Sequence, residues 1–276
     1  MRASLRLGRI LRRQILMNIV ATLEYRGAFF IYMVNNVTVP VISLLVWLTV
    51  AGQGVSLPYS RGQFATYYLL LSVVSTLTST WTAPFVAENI RLGGLSPWLL
   101  RPAPYILRDL GNNIGEKLVK LPLLLPLVGV MALTFRADLR LLTNPGAWTL
   151  FALSVPLAAA IAFLIDFAIG ALAFWMHDVR GLVRVKDLVA TLLAGQFVPL
   201  ALFPPGLRGF VDAQPFRYTL SFPLEVVTGR LPAQDIARGF AWQAGYCVAL
   251  YLMLPPGLAL RRALLRRGGS LRWTGA

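Results

Sequence analysis

Residues 147–176 read AWTLFALSVPLAAAIAFLIDFAIGALAFWM, and Asp166 is the only charged residue among them. A helix needs about 20 mostly apolar residues to cross the hydrocarbon core of a bilayer. This stretch is longer than that, so a helix formed by it would tilt or extend past the bilayer. We therefore predict a membrane-spanning helix here, and the rest of the chain follows the same pattern.

Five further apolar segments bring the predicted spans to six. Their approximate bounds are 28–51, 65–87, 118–135, 188–203 and 240–260. They lack the polar and apolar alternation of membrane β-barrel strands, which favours helices. The expected fold is an all-α membrane protein, with residues 1–276 forming one transmembrane domain.

The composition excludes several other classes of protein. Of 276 residues, 57% are hydrophobic and only 13% are charged, whereas soluble domains average about 25% charged residues. A water-soluble enzyme is therefore disfavoured, and a disordered chain is excluded. With one cysteine and one histidine, the chain can form neither an intramolecular disulfide nor a structural Cys/His zinc site.

The basic residues predict the orientation. Six spans put both termini on one side, and 19 of the 26 Lys and Arg residues fall on that side. The positive-inside rule then predicts cytoplasmic termini. The net charge of +15 is accordingly attributed to topology and anionic lipid, not to nucleic acid. Richness in Arg, Ala, Leu, Gly and Pro is typical of a GC-rich bacterial genome, so a bacterial cytoplasmic (inner) membrane is the expected location.

Residues 1–27 form a separate element that is predicted to be a basic amphipathic helix. On a helical wheel the five arginines from Arg2 to Arg13 fall within an arc of about 120°. An apolar set falls on the opposite side: Leu7, Ile10, Leu11, Ile15 and Ile19. Such a helix should lie in the inner membrane interface. It could be a topology anchor or a lever that contacts a cytoplasmic partner.

Residues 88–117 form a predicted cytoplasmic loop that contains a short helix. Gly93-Gly94 can end the second span, Ser96 is a good N-cap, and Pro97 suits the first helical position. The apolar residues Trp98, Leu99 and Leu100 follow, and Pro102 closes the turn. This helix either packs on the membrane or docks a soluble partner.

Residues 204–239 are too apolar for a free outer loop. They predict one or two short re-entrant or interfacial helices, punctuated by Pro215, Pro223 and Gly229. Irregular backbone at membrane depth must be buried in protein. This segment is therefore expected to cover the outer end of a cavity.

Catalytic motifs are scarce. The string Gly111-Asn112-Asn113-Ile114-Gly115-Glu116-Lys117 has the wrong spacing for a Walker phosphate loop. His177-Asp178 more readily caps a helix C-terminus than serves catalysis. The chain is therefore not expected to be an enzyme, and it carries no predicted cofactor or metal site of its own.

Asp166 is the strongest single candidate for function, because an acid inside a span costs several kcal/mol unless it is paired or hydrated. It is either protonated or hydrogen-bonded to another helix, or it forms a wall of a polar path. No span offers an obvious Lys or Arg partner at its depth. Thr76, Thr80 and Asn35 could line the same path, or could join helices by hydrogen bonds.

Several soft motifs in order along the chain resemble the ABC-2 type permeases of ATP-binding-cassette exporters. They are Tyr25-Arg26, Tyr59-Ser60-Arg61-Gly62-Gln63-Phe64, Ile90-Arg91, Gly94-Leu95-Ser96, Leu99-Leu100-Arg101-Pro102, Phe174-Trp175, Pro199-Leu200, Phe203-Pro204 and Arg267-Gly268-Gly269. The resemblance covers nearly the whole chain.

The resemblance implies six helices preceded by an amphipathic connecting helix and an outer re-entrant segment before the last span. It also implies a coupling helix that docks into a separate ATPase subunit, which would bind the ATP and Mg. The coupling residues would be Leu95, Ser96, Trp98, Leu99, Leu100 and Arg101. Two permease chains, identical or related, would form the path for a hydrophobic or amphiphilic substrate. Three alternatives stay open: a lipid-acting membrane enzyme, a proton-coupled carrier that uses Asp166, and a scaffold without transport.

Overall fold

A computed structural model describes residues 2–24, 26–54, 57–99, 104–140 and 144–254, and within these ranges the ordered elements are helical. The α-helices are α1 (Arg2–Glu24), α2 (Arg26–Gly52), α3 (Arg61–Thr78), α4 (Thr82–Arg91), α5 (Ser96–Leu99), α6 (Ile106–Thr134), α7 (Pro145–Ala171), α8 (Arg180–Leu193), α9 (Arg208–Ala213), α10 (Ser221–Val227) and α11 (Ala233–Met253). Short 3-10 turns cover Leu172–Phe174, Leu200–Leu202, Pro205–Leu207 and Pro215–Thr219.

Four segments of the described chain are long and apolar enough to cross a membrane. They are Phe30–Gly52, Arg61–Arg91, Ile106–Thr134 and Pro145–Phe174. These match the first four predicted spans in order. The third begins at Ile106 instead of Leu118, so the second half of the predicted 88–117 loop is helical.

The second span is interrupted, contrary to the continuous helix predicted over 65–87. α3 ends at Thr78 and α4 starts at Thr82. Hydroxyl groups before the break bond to nearby carbonyls, such as Thr78 Oγ1 to Val74 O at 2.9 Å and Ser79 Oγ to Thr76 O at 2.9 Å. Such local bonds compete with the helical ladder, and Ser79 adopts a non-helical ψ of 145°.

The bounds predicted for the fifth helix, 188–203, were wrong. α8 starts at Arg180 and ends at Leu193, and Gly195 then turns the chain with a φ of +85°, a conformation that favours glycine. The Tyr67 hydroxyl donates to Gly195 O at 2.8 Å, and the Tyr68 hydroxyl donates to Phe197 O at 2.7 Å. These bonds to α3 hold residues 195–197 as non-helical backbone.

The last predicted span, 240–260, corresponds to α11, which begins earlier, at Ala233. Its predicted residues 255–260 lie outside the described residues. Gln243 of α11 is buried and donates to Ser154 O at 3.1 Å and to Tyr218 O at 3.0 Å. These bonds join α11 to α7 and to the outer segment.

The outer segment, residues 204–239, contains short helices, and α10 within it is buried along its whole length. α10 packs against α7 and α3. Glu225 of α10 accepts a hydrogen bond from Arg217 Nη2 at 2.8 Å and one from Ser221 Oγ at 3.1 Å. A buried carboxylate is tolerated there because it is paired and hydrogen-bonded.

α1 packs along the first half of α6. A Cβ added at Gly111 would lie 2.8 Å from Gln14 Cβ, and one at Gly115 would lie 2.8 Å from Ile15 O. The two glycines, one turn apart, let the helices approach closely. Gln14 Nε2 also donates to Asn112 Oδ1 at 3.2 Å.

Candidate functional site

The break in the second span is organised by Asp166 of α7, whose side chain is 1% exposed. Its Oδ2 accepts a hydrogen bond from the backbone N–H of Ala83 at 2.9 Å and one from the Thr80 hydroxyl at 3.2 Å. The first N–H groups of a helix lack intrahelical partners and favour negative charge. Asp166 therefore caps the start of α4 from a neighbouring helix.

Lys186 of α8 completes this cluster. Its ammonium lies 3.0 Å from Asp166 Oδ1 and 2.7 Å from Asp187 Oδ1. The sequence-based expectation that Asp166 has no cationic partner was therefore wrong. Lys186 lies between the predicted spans 147–176 and 188–203, whereas α8 already begins at Arg180 and packs against α7.

A cavity of about 350 Å³ adjoins this cluster. Its walls come from α2, the end of α3 and the break after it, α7, α8 with the residues that follow it, and the outer segment. Ten lining residues carry polar side chains: Asn36, Ser75, Thr78, Ser79, Thr80, Lys186, Asp187, Thr191, Gln196 and Thr219. Tyr32, Trp81, Phe216 and Leu220 provide aromatic and apolar surface. Outer-segment residues thus line the cavity.

The four predicted path residues lie in different places. Thr80 lines the cavity, and Asp166 lies behind Lys186. Thr76 is buried and accepts a hydrogen bond from Asn36 Nδ2 at 2.7 Å, which joins α2 to α3. Asn35 is exposed, and its neighbour Asn36 is the residue on the cavity wall.

Tyr32 and Trp81 separate this cavity from a second one of about 580 Å³. Their rings meet edge to face, with centroids 5.7 Å apart. On the side of the second cavity the buried ammonium of Lys120 lies 4.4 Å from the Tyr32 centroid and also pairs with Glu116. The two rings therefore contact one cation from the side of the second cavity. Pattern reasoning missed Tyr32 because it reads as an ordinary interfacial aromatic.

The turn between α4 and α6 contains the predicted coupling residues. Leu95 is buried in a cluster with Tyr105 and Phe167, and Trp98 packs edge to face on Tyr105. Both residues therefore face the helices. Leu100 and Arg101 lie outside the described residues, as do the side chains of Ser96 and Leu99.

Among the described residues of this turn, Leu92 is an apolar residue that is 70% exposed, directly after the end of α4. Gly93 follows with a φ of +72°, a conformation typical of the residue after a helix C-cap. Pro97 at the start of α5 is exposed as well. Leu92 and Pro97 are therefore exposed apolar residues in the described part of this turn.

The His177-Asp178 pair does not cap the end of α7. Asp178 Oδ1 accepts from the backbone N–H of Arg180 at 2.9 Å, so the aspartate caps the start of α8. This hydrogen bond is the main cause of a lowered pKa for the Asp178 carboxyl. Both residues line a further cavity beside Glu88 and Arg91.

A family model described as ABC-2 family transporter protein matches residues 37–261. No curated protein sequence matches the chain. The matched range includes the break in the second span, most of the cavity wall and the turn around Leu92.

Proposed function

Because the chain belongs to the ABC-2 family of transporter proteins, we propose that this membrane permease subunit exports its substrate using ATP hydrolysed by a separate subunit. The family match over residues 37–261 carries the proposal. Two permease chains, identical or related, would enclose the path. The ATPase subunits would bind the ATP and Mg below it.

In this proposal the chain crosses the bacterial cytoplasmic membrane six times. Four of the spans are the long apolar segments. α8 and the residues after it form the fifth span, and α11 forms the sixth. The excess of basic residues near the termini supports a cytoplasmic location for both ends. α1 then lies at the inner interface, where its arginines meet lipid headgroups.

The cavity beside Lys186 is proposed as the substrate site. It combines polar side chains with the aromatic rings of Tyr32 and Trp81. Binding sites of this kind suit a ligand with an apolar body and a polar group. An amphiphilic substrate fits both walls, and Phe216 and Leu220 of the outer segment would close its outward exit.

The turn around Leu92 is proposed to couple ATP binding to the helices. α4 connects this turn to the capped break, because Asp166 holds the first turn of α4. A force applied at the turn would reach the cavity wall along α4, which is only ten residues long. Movement of α4 relative to α3 at the break would change access to the cavity.

The test is purification of the tagged protein from its native membrane in mild detergent, followed by identification of co-purifying subunits and measurement of ATP hydrolysis. The wild type should bring down a stoichiometric ATPase. Leu92→Asp and Leu99→Asp should each remove it, because a charge at an apolar contact must be desolvated. Leu207→Asp, an exposed leucine in the outer segment, is the matched control and should retain the ATPase.

Retention of the ATPase by Leu92→Asp and Leu99→Asp would contradict the docking assignment. A wild-type chain that purifies without any nucleotide-binding subunit would contradict the exporter.

The Asp166–Lys186 pair favours a second candidate function, a proton-coupled carrier. Intramembrane acids paired with bases are typical of proton relays. Such a carrier would transport in response to a pH gradient without ATP, and Asp166→Asn would abolish that transport. ATP-dependent transport that continues in the absence of a pH gradient would exclude the carrier.

A further inference from the structure

We propose that the cavity beside Lys186 selects an amphiphilic organic cation that carries an N–H bearing ammonium group. This inference rests on the proposed function and specifies its substrate class. Three independent features of the cavity wall support it: the balance of charge, the direction of the hydroxyl hydrogen bonds, and the aromatic pair.

The described wall carries one ammonium, Lys186, and one carboxylate, Asp187, and with the buried Asp166 behind Lys186 this cluster has two carboxylates for one ammonium. Lys186 is shared between the carboxylates of Asp166 and Asp187. Asp166 is buried and also held by the start of α4, whereas the Asp187 side chain is 61% exposed. The excess negative charge therefore resides at Asp187, where a ligand can reach it.

The serine and threonine hydroxyl groups on the wall offer hydrogen-bond acceptors to a ligand. Each donates its only proton to another group of the protein. The bonds run from Ser75 to Ser72 O, from Thr78 to Val74 O, from Ser79 to Thr76 O, from Thr80 to Asp166 Oδ2, from Thr191 to Asp187 O and from Thr219 to Phe216 O.

Asn36 follows the same rule, because its amide hydrogens are directed to Ser72 O and Thr76 Oγ1. A hydroxyl whose proton is committed keeps its lone pairs for other partners. These side chains therefore accept hydrogen bonds from a ligand, which suits an ammonium group.

The aromatic pair Tyr32 and Trp81 supplies the third feature. Both residues line this cavity, and on the side of the second cavity both contact the ammonium of Lys120. The pair is thus arranged to stabilise positive charge, and the same rings give an apolar surface for the body of the ligand.

The test uses three aromatic compounds that share a naphthalene body and differ in charge: 2-(1-naphthyl)ethylamine, 2-(1-naphthyl)ethanol and 1-naphthylacetate. Binding is measured by equilibrium dialysis on the protein in phosphatidylcholine nanodiscs, with empty nanodiscs subtracted. The amine should bind at least tenfold more tightly than the alcohol, and the acetate should bind most weakly. Equal binding of amine and alcohol would overturn the proposal.

Variants then locate the site. Asp187→Asn should reduce amine affinity at least tenfold, while Asp187→Glu should stay close to the wild type. Asp235→Asn removes an exposed carboxylate on α11 and should change nothing, which controls for net charge. An unchanged affinity in Asp187→Asn would refute the assignment.

Co-purification of the ATPase, measured on the same preparation, separates the two proposals. An associated ATPase without amine selectivity refutes only the substrate class. Selective amine binding without an ATPase supports the cation site and refutes the exporter.

Discussion

Asp166 and Lys186 lie 20 residues apart in the chain, and their side chains meet at 3.0 Å beside the break in the second span. The pair joins α7 to α8, and Asp166 also holds the first turn of α4. Three helices thus depend on one carboxylate. Burial of this group is tolerable only while its partners are present.

Replacement of Asp166 should therefore be costly. Removing one member of a buried ion pair typically costs about 3–5 kcal/mol, so Asp166→Leu should lower the free energy of unfolding by roughly that amount in mixed micelles titrated with SDS. Asp166→Asn keeps an acceptor for the Ala83 N–H and should cost less. Asp235→Asn, in an exposed pair with Arg238, should cost under about 1 kcal/mol. Equal effects of Asp166→Leu and Asp235→Asn would contradict this account.

The close contact between α1 and α6 gives a second prediction. A side chain at Gly115 meets Ile15 O and Asn18 on α1. Gly115→Val should therefore displace α1 and cost about 1–3 kcal/mol, as overpacking does. Faster deuterium uptake in residues 7–24 would report the displacement. Gly129→Val on the same helix meets nothing within 4 Å and should leave uptake unchanged.

Gly170 supports the first turn of α4 one helical turn beyond Asp166. A Cβ at Gly170 would lie 2.8 Å from Ala83 O and 2.8 Å from Val86 Cβ. Gly170→Leu should push α4 from α7 and weaken the Asp166 cap, which would lower ATP-dependent transport. Gly245→Leu on α11 has open space and is the control. Transport at wild-type rates in Gly170→Leu would show that the position of α4 is not critical.

Tyr59, in the link between α2 and α3, predicts a response to alkaline pH. Burial raises the pKa of Tyr59 well above its ordinary value of 10. The native state thus keeps a proton that the unfolded state loses above pH 10. Stability is therefore unaffected by this group below pH 10 and should fall above it by about 1.4 kcal/mol per pH unit.

Tyr59→Phe should remove this part of the alkaline loss. Its hydroxyl has no hydrogen-bond partner among the described residues, so the variant should be close to wild type at pH 7. Unfolding curves recorded from pH 9 to pH 11 test the slope. Parallel pH profiles for wild type and Tyr59→Phe would refute the prediction.

The lengths of the apolar runs in the sequence determined much of the fold. The first four spans follow from runs such as 147–176, because a bilayer requires a long apolar helix. The arginine spacing of residues 2–13 likewise predicted the helix that is α1. The family match supports the resemblance that the ordered motifs suggested.

The candidate site was only partly predictable. Asp166 stood out because a charge in an apolar run is costly, and Thr80 was one of the polar span residues expected to line a path with it. Lys186 did not, because its charge is unremarkable in a short basic stretch of the sequence. The resemblance assigned Leu95 and Trp98 to a coupling helix, and the structure shows that both pack on residues of α6 and α7.

The sequence by itself determined a helical membrane protein, its family and its most unusual buried charge, because hydrophobic length and isolated charge are local properties of the chain. Only the tertiary structure decided where the second span breaks, which lysine pairs with Asp166 and which asparagine faces the cavity. Those outcomes depend on contacts between residues far apart in the chain. The interruption at residues 79–81 is stable because Asp166, from another helix, satisfies the N–H group that the break leaves free.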